Sequence, residues 1–248
     1  SISYDTADTP ELFGRSGAAF GKFQRMLGGF DPNKLYVTIP NFHNTIWRYE
    51  NEFLPALRLD VKDRAKNCAD EIAFINAHKG EMSKIEDMVK SGEIPLRVTH
   101  NDTKLNNVIF DKSTRRALCV IDLDTVMPGL VAYDFGDSIR FGASTALEDE
   151  RDLDKVRLDL GLYRRFTEGF VPACGMLTRR EIETLPLGAK LMTLECGLRF
   201  LTDYLDGDHY FSVARPDHNL ERARTQFKLV EDTERRWDEI QGIVAAFL

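Results

Sequence analysis

Residues 98–124, VTHNDTKLNNVIFDKSTRRALCVIDLD, constrain this chain more than any other stretch. His100, Asp102 and Asn107 form H-x-D-x-x-x-x-N between two short apolar, β-prone runs, and Asp122 and Asp124 close the second run. Two short strands with polar loops at their ends fit a small hairpin that carries both loops. An acid–base carboxylate beside oxygen-bearing side chains is a plan for catalysis next to a metal site.

Transfer of a phosphoryl group to an alcohol needs a carboxylate that orients the hydroxyl and accepts its proton. It also needs oxygen ligands that hold magnesium against nucleotide phosphates. Asp102 can be the first group. In the protein-kinase arrangement an asparagine five residues after that aspartate binds metal, and Asn107 has this offset. Asp122, at the end of the next strand, fits a negative metal ligand. One carboxylate, one amide, the phosphates and water suffice for Mg2+. Asp124, two residues on and on the same side of an extended chain, is a second ligand or supports one, unless it makes only a surface hydrogen bond. Lys104 either offsets charge near the transferred phosphate or is an ordinary exposed lysine. His100 reads as a scaffold beneath the loop rather than a proton carrier. Singly, Asp102, Asn107 and Asp122 could be turn or strand caps; together they point to catalysis and metal binding.

Residues 100–111 and 120–140 resemble the aminoglycoside phosphotransferase and choline kinase superfamily. The wording HNDTKLNNV, IDLDTVMPG and LTDYLDGD is similar to that of bacterial N-acetylhexosamine 1-kinases. The resemblance covers nearly the whole chain and implies an α+β, mainly helical fold. Residues 1–248 would form one protein-kinase-like C-terminal lobe, with a small β-hairpin carrying the catalytic and metal loops. It implies ATP as co-substrate, Mg2+, and a sugar acceptor phosphorylated at its anomeric hydroxyl.

Asp134-Phe135-Gly136 imitates a kinase metal tripeptide, but it lies too far past Asp102, and the resemblance gives Asp134 a structural role: holding the loop backbone or capping its helix. The segment from Glu195 to Phe211 resembles the part of those kinases that reaches the sugar, which makes Arg199 and Tyr210 candidates for its oxygens. The alternatives are an Arg199–Glu195 ion pair at i,i+4 and a core or surface tyrosine. The same core would serve an aminoglycoside, choline or homoserine kinase.

A reading from another class is a non-catalytic lobe fragment. No β-rich stretch stands before the first helix to supply the N-terminal lobe that covers ATP phosphates. That lobe is an expected missing partner, and the chain alone is expected to bind nucleotide weakly and turn over slowly or not at all.

A net charge of −7 argues against general nucleic-acid binding, which needs a basic face. Cys68, Cys119, Cys174 and Cys196 form no C-x-x-C pair, so reduced thiols are expected rather than zinc or disulfides. The start, SISYDTADTPE, is no signal peptide and no run is long enough to span a membrane, so no membrane partner and a cytoplasmic location are expected.

Elsewhere the periodicity is helical. Thr9-Pro10-Glu11 starts a helix that Gly28-Gly29 stops, and Gly14, Gly17 and Gly21 inside it read as close-packing positions rather than a phosphate loop. A short extended piece is expected at Leu35–Ile39, and His43 and Trp47 either pack, cap or line a cleft. Helices are expected at 45–59, 64–78, 81–90, 133–141, 150–170, 179–205 and 218–247. Interruptions fall at 172–175, 186–188 and 206–216.

Overall fold

The computed structural model describes residues 1–248. Helix α1 (Pro10–Leu27) opens with the Thr9 hydroxyl accepting the Leu12 amide hydrogen at 3.3 Å. It lies along α7 (Leu160–Cys174) at a distance only glycine allows: a Cβ on Gly17 would sit 2.6 Å from the Phe166 carbonyl oxygen, and one on Gly21 2.4 Å from that of Phe170. The three glycines in α1 therefore serve helix packing.

A continuous helical run follows: α2 (Thr45–Arg48), one π turn (Tyr49–Phe53) and α3 (Leu54–Leu59). Then come α4 (Ala69–His78) and α5 (Lys84–Lys90). Four short strands occupy the middle of the chain: β1 (Arg97–Thr99), β2 (Val108–Phe110), β3 (Ala117–Val120) and β4 (Met127–Gly129). The hairpin β2–β3, with Val108 opposite Val120, is nested within the antiparallel pair β1–β4, with Thr99 opposite Met127. Nesting sets residues 100–107 and 121–126 side by side, since both segments cross from the outer pair to the inner one. Helices α6 (Val131–Gly142), α8 (Arg179–Asp206), α9 (His218–Arg235) and α10 (Trp237–Ala245) complete the chain around one core cluster of 47 buried residues.

Several boundaries differ from the sequence expectation. Leu35–Ile39 forms no strand; Tyr36 is 90% exposed and the segment has no partner edge. The helix expected from 150 begins only at Leu160, because the chain before it pairs with residues 143–145, the Thr145 amide donating to the Arg157 carbonyl at 3.0 Å and the Asp159 amide to the Ala143 carbonyl at 2.8 Å. Asp159 then provides the N-cap, accepting the Leu162 amide at 2.9 Å. Helix α8 runs unbroken through Pro186, its start fixed by a Thr178–Glu181 capping box. Close α6–α8 packing outweighs the local cost of the proline: a Cβ on Gly188 would meet the Ala132 carbonyl oxygen at 2.1 Å. The last expected helix divides at Arg236, which leaves helical geometry (φ −101°, ψ 19°) and lets α10 turn onto α7 and α8. No helix is long and apolar enough to cross a membrane. All four cysteines are free.

Candidate active site

The loop after β1 cannot fold on local preference alone, because Asn101 holds a left-handed backbone (φ 64°). Helix α6 supplies what fixes it. The fully buried Asp134 accepts the His100 amide on Oδ2 at 2.9 Å and the Asn101 amide on Oδ1 at 2.7 Å. Gln24 of α1 donates to the same Oδ2 at 2.5 Å. Burial pushes the Asp134 pKa above the usual carboxylate range, against the pull of the donated hydrogen bonds. Three residues on, Asp137 accepts the Thr103 amide at 2.9 Å. Burial would raise the Asp137 carboxyl too, but Arg140 and His43 hold it below its ordinary value.

His100 is wholly buried, with the rings of Phe20 and Phe23 edge-on at 5.5 and 5.6 Å. Its Nε2 donates to the Ile121 carbonyl at 2.9 Å and its Nδ1 accepts the Asp102 amide at 3.3 Å. One ring therefore ties the two loops together and leaves neither nitrogen facing a ligand. Thr125 adds a second tie, donating from Oγ1 to the His100 carbonyl at 2.7 Å.

Asp102, Lys104 and Asn107 converge. Asn107 Nδ2 donates to the Asp102 carbonyl at 2.8 Å and to its Oδ2 at 3.1 Å, while Lys104 Nζ lies 3.2 Å from Oδ1. The backbone amide of Ile121 donates to the Asn107 carbonyl at 2.9 Å, which places Asp122 one residue from Asn107's hydrogen-bonded neighbour. Asp122 is left-handed (φ 63°, ψ 64°) and exposed, and its carboxylate takes no hydrogen bond or ion pair from the chain. Asp124 does not share its side by strand alternation. The chain is not extended there: Leu123–Thr125 is a 3-10 turn following the left-handed Asp122.

Arg199 and Tyr210 meet, with the guanidinium 3.3 Å from the phenol oxygen. The i,i+4 alternative does not form, since Glu195 turns inward to His43 at 2.9 Å and to Thr45 Oγ1 at 2.8 Å. Arg199 instead lies over the rings of Phe42, Tyr210 and Phe211 at 5.9, 5.5 and 5.4 Å. These residues line a cavity of about 480 Å³, with Trp47 and Glu52 also in its lining. Asp203 holds the loop carrying Tyr210 in place by accepting the amides of His209, Tyr210 and Phe211 at 2.8–2.9 Å.

Sequence reasoning did not single out Asp137, Gln24 or Asp203, and met Glu195 only as an alternative partner for Arg199. Asp137 had a signal, its i+3 spacing from Asp134, which puts both on one helix face. Gln24 had none, because its partner is 110 residues away.

Among known proteins, the model of a phosphotransferase enzyme family matches residues 2–168. The chain is similar in structure to an ethanolamine kinase of Plasmodium vivax, with a TM-score of 0.53 and 16% identity, over 91% of this chain and 62% of that one. It is also similar to a choline kinase of Cryptosporidium parvum, with a TM-score of 0.57 and 12% identity, over 98% of this chain and 71% of that one. The chain thus spans less than two thirds of the ethanolamine kinase's length. At these identities the likeness fixes the fold alone: mainly helical with small antiparallel sheets, as in the C-terminal lobe of those enzymes.

Proposed function

The chain belongs to that phosphotransferase family, and from this premise we propose that it is the C-terminal lobe of an ATP-dependent kinase that phosphorylates the anomeric hydroxyl of an N-acetylhexosamine. The observation that carries the reading is the convergence of Asp102, Lys104 and Asn107 on one loop, beside the unpartnered carboxylate of Asp122.

In this reading Asp102 orients the acceptor hydroxyl and takes its proton as the oxygen attacks the γ-phosphorus of ATP, the bond to the β,γ-bridging oxygen breaks and ADP leaves. Asn107 fixes that carboxylate by donating to it, and its own side-chain oxygen accepts nothing from the chain. With Asp122 it offers hard oxygen donors that suit Mg2+, with Asp124 next in the chain. No three acidic, histidine or cysteine side chains group closely enough to hold an ion alone. That donor set fits a magnesium ion that keeps water and takes the remaining ligands from nucleotide phosphates. When bound, the ion neutralises charge on the phosphate oxygens. Lys104 pairs with Asp102 here and is placed to offset charge on the transferred group.

The acceptor cavity carries charge of both signs, Arg48 and Arg199 with Glu52, Asp203 and Asp206, beside its aromatic rings. An aromatic box is a good receptor for a quaternary ammonium, but here the chain's own Arg199 already lies over three of its rings. The Arg199 guanidinium and the Tyr210 hydroxyl can donate to hydroxyl and acetamido oxygens.

The test is product identification by phosphorus NMR. The longest natural form of the protein is given ATP, Mg2+ and, separately, N-acetylglucosamine, N-acetylgalactosamine, choline, homoserine and an aminoglycoside. A sugar 1-phosphate is expected. Phosphocholine or another product as the main one would overturn the acceptor assignment, and no transfer to any acceptor would leave the lobe non-catalytic.

A further inference from the structure

The peptide between Asn101 and Asp102 is gripped at both ends. Its N–H donates to His100 Nδ1 at 3.3 Å, and its C=O accepts from His43 Nε2 at 3.0 Å. The orientation of this one peptide plane sets where the Asp102 side chain starts. His100 belongs to the loop itself, but His43 comes from the connection before α2 and is anchored on α8 through Glu195.

Both ring nitrogens of His43 face acceptors, Nδ1 the Glu195 carboxylate at 2.9 Å and Nε2 the Asn101 carbonyl. A neutral imidazole has one N–H and can satisfy only one of them, so the geometry calls for imidazolium. The pair is enclosed: the side chain of His43 is 11% exposed and that of Glu195 3%. From α2, Thr45 donates to Glu195 and Arg48 lies 3.8 Å from it. From α6, the Tyr133 ring lies 5.8 Å from that of His43, and Asp137 adds a negative charge nearby. Tyr133 in turn donates to Glu86 of α5. Phe42, adjacent in sequence, belongs to the wall beneath Arg199, and Arg199 follows Glu195 by one turn of α8.

We propose that His43, held by Glu195, is a positioning residue that sets the Asn101–Asp102 peptide and so couples the acceptor cavity to the base. The proposal rests on the kinase reading. Neither residue touches the acceptor; they act through the backbone of the loop that carries Asp102. Occupation of the cavity, by loading the Phe42 wall and α8, would tighten the grip on that peptide.

The experiment compares wild type, His43→Ala, His43→Gln and Glu195→Gln in kcat, in KM for acceptor and for ATP, and in the pH profile of kcat, with folding checked by circular dichroism. His43→Ala is expected to lower kcat roughly ten- to a hundredfold, as small misplacements of a catalytic group do. The KM for ATP is expected to stay within about twofold. His43→Gln, which keeps one donor for Asn101, should recover part of the loss. Glu195→Gln, by removing the anion that keeps the imidazole charged, should move the alkaline fall of kcat to lower pH. Wild-type kcat in His43→Ala, an unmoved alkaline limb in Glu195→Gln, or failure of all three variants to fold would overturn the proposal. No transfer by wild type would instead remove the kinase reading on which it depends.

Discussion

The carboxylate of Asp134 takes the amide hydrogens of His100 and Asn101, one on each oxygen, at 2.9 and 2.7 Å. A buried acid on one helix thus holds the backbone that turns toward Asp102. Charge-assisted bonds of this kind are costly to lose because the two amides would remain buried.

Asp134→Ala should therefore destabilise the fold by roughly 3 kcal/mol, and free the His100 and Asn101 amides to exchange. Denaturant unfolding and amide hydrogen exchange measure the two effects. Equal exchange protection in variant and wild type would remove the anchoring role.

Gly21→Ala should destabilise even though alanine is the better helix former. Its Cβ would sit 2.4 Å from the Phe170 carbonyl oxygen, so α1 and α7 must separate. Overpacking of this kind costs roughly 1–3 kcal/mol. A raised melting temperature would show that the two helices can part at no cost.

The His43–Glu195 pair gives stability with two limits. Burial alone would lower the His43 pKa, but the hydrogen bond and charge of Glu195 raise it above its ordinary 6.5. Its contribution is full below that value and fades as pH rises through the raised pKa. Burial alone would raise Glu195, but His43 holds it below its ordinary 4.5, so its contribution fades as pH falls through the lowered pKa. Unfolding free energy measured across pH should show a plateau between these limits; in His43→Gln the alkaline fade should disappear, and the acid limit should move to higher pH because burial of Glu195 is no longer offset by His43.

Asp122→Ala should weaken Mg-ATP binding while leaving the fold intact, since this exposed carboxylate has no partner in the chain to lose. Titration calorimetry with ATP and Mg2+ gives the affinity directly. Unchanged affinity would take Asp122 out of the proposed metal site.

The loops were readable from sequence because their residues lie close together in it. The offsets 100, 102 and 107 fall on one loop between strands, and the nested pairing then brings 122 alongside. Helix α1 was readable for the same reason, with Thr9, Pro10 and the glycines all local. What stayed hidden was either long-range or decided by packing. Gln24 meets Asp134 and His43 meets Glu195 only once distant helices come together. Local rules also overstated the breaks: residues 186–188 read as an interruption within the helix expected at 179–205, yet α8 continues unbroken because α6 is packed against it. At 122–124, period-two alternation assumed an extended chain where the left-handed Asp122 ends it.

Asp102 carries the proposed chemistry. The most direct measurement is steady-state transfer from ATP to N-acetylglucosamine by wild type and by Asp102→Asn in the longest natural form of the protein, with the melting temperature of each. Loss of kcat by roughly 10²–10⁴-fold at an unchanged melting temperature is the predicted result for a group that takes the hydroxyl proton. A correctly folded Asp102→Asn protein that turns over at the wild-type rate would contradict it.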